Sequence, residues 1–254
     1  VSGISGQGTT INIGNPTLRP ETSTNTELGI LFDNLQGVSA SATLFHNKVE
    51  DRISSGGDCT VNWISSCAAN PTATYSINVD EGKTWGAELS SRIALAPRWT
   101  LSMNYTWTDS ELITAEGKNG KLSDTAKHVA NAQLRWDASE KLSVWLRGEY
   151  RGDSPRFDGD PANLTGNSKL EYEAMGDLDG YSLFHLGAAY KMSKDLTINA
   201  NLYNLFDKDF SKCSTYVNTA GAEAVTCAYF KTTSGTKGSV SAGRTLWLSA
   251  NYSF

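Results

Sequence analysis

Leu196-Thr-Ile-Asn-Ala-Asn-Leu-Tyr-Asn-Leu-Phe-Asp207 and Arg244-Thr-Leu-Trp-Leu-Ser-Ala-Asn-Tyr-Ser-Phe254 alternate apolar and polar residues. Successive side chains of a strand point to opposite faces, so Leu246, Leu248, Ala250, Tyr252 and Phe254 share one face. Thr245, Trp247, Ser249, Asn251 and Ser253 share the other. A soluble sandwich strand alternates too. The further signals are length and aromatic ends: a tilted strand of about 10 residues crosses a bilayer in a barrel, with aromatics at its interfaces. Tyr252 and Phe254 stand where such a girdle belongs.

Working outward, the same period predicts seven earlier strands, over residues 24–33, 38–53, 75–95, 99–108, 128–136, 141–150 and 181–192. Their connections alternate long and short, the asymmetry of an outer-membrane barrel with long loops outside and short periplasmic turns. The predicted inward faces carry Arg92, Arg135, Arg147, Glu88 and Glu149. A small dry interior would not hold them without a large desolvation cost, so the reading favours a wide, wet or plugged lumen. The count is nine, whereas bacterial single-chain barrels have an even number, and an open sheet would expose two edges of unpaired backbone to lipid. The fold class expected is therefore all-β, an antiparallel transmembrane β-barrel. Residues 1–254 would then be part of a larger barrel, with strands missing upstream of the chain.

The composition agrees. Apolar residues make up 39% of the 254, with no run of about 18 that could form a membrane-spanning helix. The formal charge of −5, without a basic block, disfavours a nucleic-acid partner. The chain opens Val1-Ser-Gly without Met or a signal peptide and reads as a piece of something longer. Its four cysteines form two close pairs, Cys59 with Cys67 and Cys213 with Cys227. No CxxC spacing suggests a metal, so disulfides in an oxidising compartment are expected.

Several motifs carry a resemblance. Asn15-Pro-Thr-Leu-Arg-Pro-Glu21 leads into the first strand, and Trp85-Gly-Ala-Glu-Leu89 lies in the third. Asn204-Leu-Phe-Asp-Lys-Asp-Phe210 is followed by a long loop, then Gly243-Arg-Thr-Leu-Trp-Leu248 and a final aromatic. Together these resemble TonB-dependent outer-membrane receptors, most of all the ferric-catecholate (enterobactin-type) members. The resemblance implies location in the outer membrane of a Gram-negative bacterium and contact with its lipid. It also implies that residues 1–254 are the C-terminal part of one barrel domain of about 22 strands, with the first strands and a plug domain outside the chain. The transported cargo would be a ferric siderophore, not a cofactor, with energy delivered by the TonB complex through the missing plug. A passive porin, or a receptor of the same family for cobalamin, is the competing reading.

No catalytic constellation, P-loop, dinucleotide fingerprint or zinc spacing is present, so neither an enzyme nor a resident metal is expected. Asp158 and Asp160 read as a solvated loop, and His185 as a wall residue. Function then falls to loops 54–75, 151–180 and 211–243. A bulky aromatic trianion is met by cations and by stacking side chains. The candidates are Arg156 and Lys231 for charge, with Trp63, Phe157, Tyr172, Tyr216, Tyr229 and Phe230 for stacking.

Overall fold

The structure is a computed structural model that describes residues 5–7, 10–34, 37–60, 62–78, 81–113, 119–231 and 242–253. In chain order the strands are β1 (Ser5–Gln7), β2 (Thr10–Ile13), β3 (Thr22–Asn34), β4 (Val38–Glu50), β5 (Ile53–Asp58), β6 (Thr74–Asn78), β7 (Glu81–Ala96) and β8 (Trp99–Ile113). They continue with β9 (Asn119–Gly120), β10 (His128–Asp137), β11 (Leu142–Arg151), β12 (Tyr181–Lys191), β13 (Leu196–Tyr203), β14 (Cys213–Val217), β15 (Glu223–Cys227) and β16 (Thr245–Tyr252). One helix, α1 (Gly166–Met175), lies between β11 and β12.

Nine of these strands form one antiparallel sheet in the order β16-β13-β12-β11-β10-β8-β7-β4-β3, with β9 added at the end of β8. Its register makes the alternation physical. Val38, Ile93, Leu101, Leu134, Leu146, Leu186, Leu202 and Leu246 stand directly opposite one another across eight strands. One residue along, Asp33, Ser39, Arg92, Ser102, Gln133, Arg147 and His185 form a row on the other face. One face is thus an apolar belt and the other a polar wall, the outside and lumen sides of a barrel. Leu246, Leu248, Ala250 and Tyr252 face Leu202, Ala200, Ile198 and Leu196 on the apolar side, as expected. Trp99 and Trp136 stack at 5.4 Å at the short-turn end of the belt, and Tyr105 and Tyr150 mark the long-loop end. These are the two aromatic girdles. Phe254 lies outside the described residues.

The wall residue His185 is buried, and its Nδ1 accepts the Asn204 N–H at 3.1 Å. β3 and β16 each have a single strand neighbour among the described residues, so the sheet is open.

The structure departs from the sequence reading at the long loops. The second strand stops at Glu50, because Asp51 turns the chain at φ 55° into β5. The third is two strands: β6 leaves the barrel and pairs with β2 and β5, and β7 begins at Glu81. Asn78 fixes the break, its Nδ2 donating to Arg19 O at 2.9 Å and Asp51 O at 2.6 Å. The residues around Asn15 are not a bare approach to β3: β2 joins a four-stranded sheet, β1-β2-β6-β5, above the barrel. Ile13, Cys59, Cys67, Ala73 and Tyr75 are that sheet's core, and the Cys59–Cys67 disulfide sits in it. Cys213–Cys227 is the second disulfide and closes the β14–β15 hairpin.

Candidate functional site

The Asn204-to-Phe210 motif shows how a barrel strand passes into a long loop. Asn204 is buried in the left-handed region at φ 50°, a conformation that asparagine adopts more readily than most residues. Its side-chain oxygen accepts Lys208 N–H at 2.7 Å and its Nδ2 donates to Lys208 O at 2.9 Å, which closes a tight turn. The turn places Phe206 outside, edge-on to Phe184 at 5.3 Å on the apolar face. It places Phe210 inside, where only 4% of it is exposed. Asp207 then accepts the Arg244 N–H at 2.7 Å and holds the start of β16 beside the end of β13.

Around Phe210 three rings meet edge to face. Tyr181 lies 5.1 Å from Phe210, Tyr229 5.2 Å from Phe210, and Tyr181 6.2 Å from Tyr229. Such pairs are favoured because ring edges are positive and ring faces negative. Lys208 Nζ donates to the Tyr229 hydroxyl at 2.7 Å and also lies over that ring, 4.5 Å from its centre. Tyr181 starts β12 directly opposite Arg151, the last residue of β11. Both belong to the polar face, so the cluster sits at the lumen rim.

A cavity of about 340 Å³ opens there, lined by Arg151, Tyr181, Tyr229, Phe230, Lys231 and Asp124 among others. Arg151 Nη2 donates to Asp124 O at 2.7 Å, and Lys231 Nζ lies 3.0 Å from Asp124 Oδ2. Two cations and three aromatic rings thus share the lining with two carboxylates, Asp124 and Asp179, of which Asp124 pairs with Lys231 and Asp179 with Lys212 outside the cavity lining. That arrangement suits a flat or conjugated anion that can displace the weak, partly exposed Asp124–Lys231 pair.

Of the residues singled out from the sequence, Tyr229, Phe230 and Lys231 line this cavity together. Arg156 does not reach it. It is 0% exposed, and its guanidinium bonds are made within the protein, which leaves it no face for a ligand. Its Nε donates to Gly176 O at 2.6 Å, Nη1 to Thr226 Oγ1 at 3.0 Å and Nη2 to Cys227 O at 2.8 Å. Burial lowers its pKa, opposed by Glu171, Asp177 and Asp179, but a guanidinium keeps its proton. Tyr172 lies on α1 and Tyr216 on β14, which packs against that helix. Burial raises the pKa of both phenols, with Asp177 and Asp160 adding to it at Tyr172 and Glu171 at Tyr216. Both therefore stay protonated donors. Phe157 is half-buried and Trp63 is 61% exposed on the loop of the small sheet; neither lines the rim cavity. Residues 232–241 of the last loop lie outside the described residues.

Arg151, Tyr181, Lys208 and Phe210 were missed by the sequence reading. Arg151 and Tyr181 carried a usable signal: they bracket the 152–180 loop, and strand register puts bracketing residues face to face. Asp158, read as solvated, pairs with Arg52 Nη1 at 3.1 Å and accepts Ser123 N–H at 2.8 Å, which ties three loops together. Asp160 caps a short 3₁₀ turn by accepting Ala162 N–H.

A family model described as TonB dependent receptor-like, beta-barrel, matches residues 2–205. The chain belongs to the TonB-dependent receptor family. It is similar to the iron-regulated outer membrane virulence protein of Vibrio cholerae serotype O1, with 34% identity over 201 residues, 77% of this chain and 29% of that protein. It is also similar to the vitamin B12 transporter BtuB of Photobacterium profundum, with 28% identity over 207 residues, 80% of this chain and 29% of the transporter. A crystal structure of a ferric enterobactin receptor mutant from Pseudomonas aeruginosa in complex with enterobactin superposes with a TM-score of 0.68 at 26% identity. That match covers 96% of this chain and 33% of the receptor. The chain thus spans about a third of the length of the proteins it matches. TonB-dependent receptors are outer-membrane proteins of Gram-negative bacteria, and the apolar belt between two girdles is this chain's contact with that membrane's lipid.

Proposed function

We propose that the chain is part of a receptor for active uptake of a ferric siderophore, of the catecholate class, bound by the long loops above a plugged lumen. The observation that carries this is the rim cluster: Arg151 and Lys231 beside Tyr181, Tyr229 and Phe230. A ferric tris-catecholate is a bulky aromatic trianion. The chain's net charge of −5 repels it at long range, so its selection must come from a local basic and aromatic patch. The phenols of Tyr172 and Tyr216 are candidate hydrogen-bond donors on the loop surfaces above, and Trp63 and Phe157 are candidate aromatic contacts there. Two relatives whose names speak of iron regulation and ferric enterobactin support the reading. Residues 1–254 would then be the C-terminal part of a single barrel domain. The plug and first strands would lie elsewhere in the receptor, and the plug would contact the TonB energy-transducing complex.

The test is equilibrium binding of ferric enterobactin to the full-length receptor at several salt concentrations. Arg151→Gln with Lys231→Gln should weaken binding by tenfold or more, because charge-assisted contacts contribute about 1.5–3 kcal/mol each. It should also flatten the salt dependence. Tyr229→Ala with Phe230→Ala should weaken binding by about tenfold and leave the salt slope unchanged, since ring contacts are largely unscreened. Unchanged affinity in both variants would remove the rim cluster as the site. The similarity to a vitamin B12 transporter supports a second reading, cobalamin uptake. Binding of cobalamin in place of ferric enterobactin would decide for it, and flux without an energised inner membrane would decide for a passive channel.

A further inference from the structure

We infer that Arg156 is a positioning residue that joins two loops remote in sequence into one unit and so sets the place of Tyr229, Phe230 and Lys231 at the rim. The importance of that placement for ligand rests on the reading above; the coupling itself does not. Arg156 belongs to the β11–β12 connection, and its own backbone N–H donates to Asp177 Oδ1 at 3.2 Å. Its side chain divides its donors between the loops. Nε goes to Gly176 O, at the end of α1 in the same connection. Nη1 and Nη2 cross to Thr226 Oγ1 and Cys227 O in β15, about two residues before the rim segment.

Glu171 of α1 completes the junction. It accepts from Thr226 Oγ1 at 3.0 Å and lies 3.5 Å from Arg156 Nη1, so the buried cation has a counter-charge. Arg156 and Thr226 are both 0% exposed, so removing either side of the junction leaves buried polar groups without partners. Around the junction the loops are joined again. Asp179 N–H donates to Ala228 O at 2.7 Å, Lys212 Nζ lies 2.8 Å from Asp179 Oδ2, and Thr219 N–H donates to Asn167 Oδ1 at 2.7 Å. The Cys213–Cys227 disulfide fixes the partner strand β14 to the same carbonyl-bearing residue. A single fork-shaped cation suits this role because its donors leave in three directions in one plane, which lysine cannot reproduce.

The experiment is amide hydrogen exchange on the full-length receptor, read by peptide, with ferric enterobactin affinity as a separate readout. In Arg156→Gln, exchange should rise together in 166–176 and 223–231, by about tenfold or more, while β11 and β12 keep wild-type protection. Thr226→Val should give the same paired rise, smaller in size, and Thr226→Ser should restore wild-type exchange because the hydroxyl returns. Should Arg156→Gln fail to assemble, the two Thr226 variants decide alone. A rise confined to one loop, or a Thr226→Val receptor with wild-type exchange in both, would overturn the coupling. A paired rise with unchanged affinity for ferric enterobactin would leave the coupling standing and count against the rim cluster as the ligand site.

Discussion

Asn204 and Arg156 illustrate what a single residue's sequence context can and cannot reveal. Asn204 was recognisable as part of a motif, but the reason for asparagine appears only with its left-handed backbone and its two bonds to Lys208. Alanine at 204 would lose both bonds and meet the left-handed penalty, a destabilisation of about 1–2 kcal/mol or more. Glycine would lose only the bonds. Limited proteolysis of the full-length receptor should therefore cut within 205–212 fastest in Asn204→Ala, less in Asn204→Gly and least in wild type. Equal rates would remove the turn from this role. Arg156 looked like any loop cation, because burial is a long-range property: the groups that cover it lie up to 71 residues away. Asp158 carries a pH prediction. Burial opposes its ionisation, but the Ser123 backbone and hydroxyl bonds and Arg52 outweigh it, so its folded pKa is lowered. A lowered carboxylate pKa contributes stability that is present above the unfolded value and is lost as pH falls through the folded one. The ties among residues 51–58, 119–124 and 158 should hold at neutral pH and open in acid below the ordinary aspartate range. Hydrogen exchange in these peptides, compared with Asp158→Asn at both pH values, checks this: the variant should be loose at both.

At the scale of elements, the barrel strands were legible and the loop elements were not. Period-two alternation is local, so nine strands and their faces could be read from consecutive residues. β6 could not be separated from β7, because the break depends on Asn78 reaching Arg19 and Asp51, which are distant in sequence. α1 has no buried residue and so no apolar stripe to announce it. The hairpin β14–β15 was hidden in a loop whose only visible landmark was its cysteine pair. The strands' two faces give the sharpest test of an element. Leu248 stands opposite Ala200 on the apolar face, and Ser249 stands opposite Asn199 on the polar one. Leu248→Arg should destabilise the folded receptor in lipid by about 2–4 kcal/mol if it lies near the bilayer midplane. Ser249→Arg should change stability by much less, since that face lines the lumen. Denaturant unfolding of both variants in vesicles measures the difference, and a reversed order would mean the register is shifted by one residue.

At the scale of the whole molecule, the sheet's two edges decide the last expectation. β3 pairs only with β4 and β16 only with β13 among the described residues, although both strands run through the apolar belt. In lipid each unpaired N–H or C=O costs several kcal/mol, and no water is present to substitute. Nine strands could escape that cost by closing β3 onto β16, but the closed ring would be narrow. Arg92, Arg135, Arg147, Glu88 and Glu149 point to its inside, and such a ring has little room to solvate them. The polar wall thus argues for a wider ring, completed by strands other than these. The length of the matched proteins, about three times the span aligned here, leaves ample chain for them. The 254 residues expressed alone in outer-membrane vesicles should therefore not run as a compact, heat-modifiable band on cold gels, and β3 and β16 should exchange their amides quickly. Supplying the remaining strands, in one chain or as a second fragment, should protect both edges at once. A compact heat-modifiable species from the 254 residues alone, with β3 and β16 protected, would mean that these nine strands close on themselves.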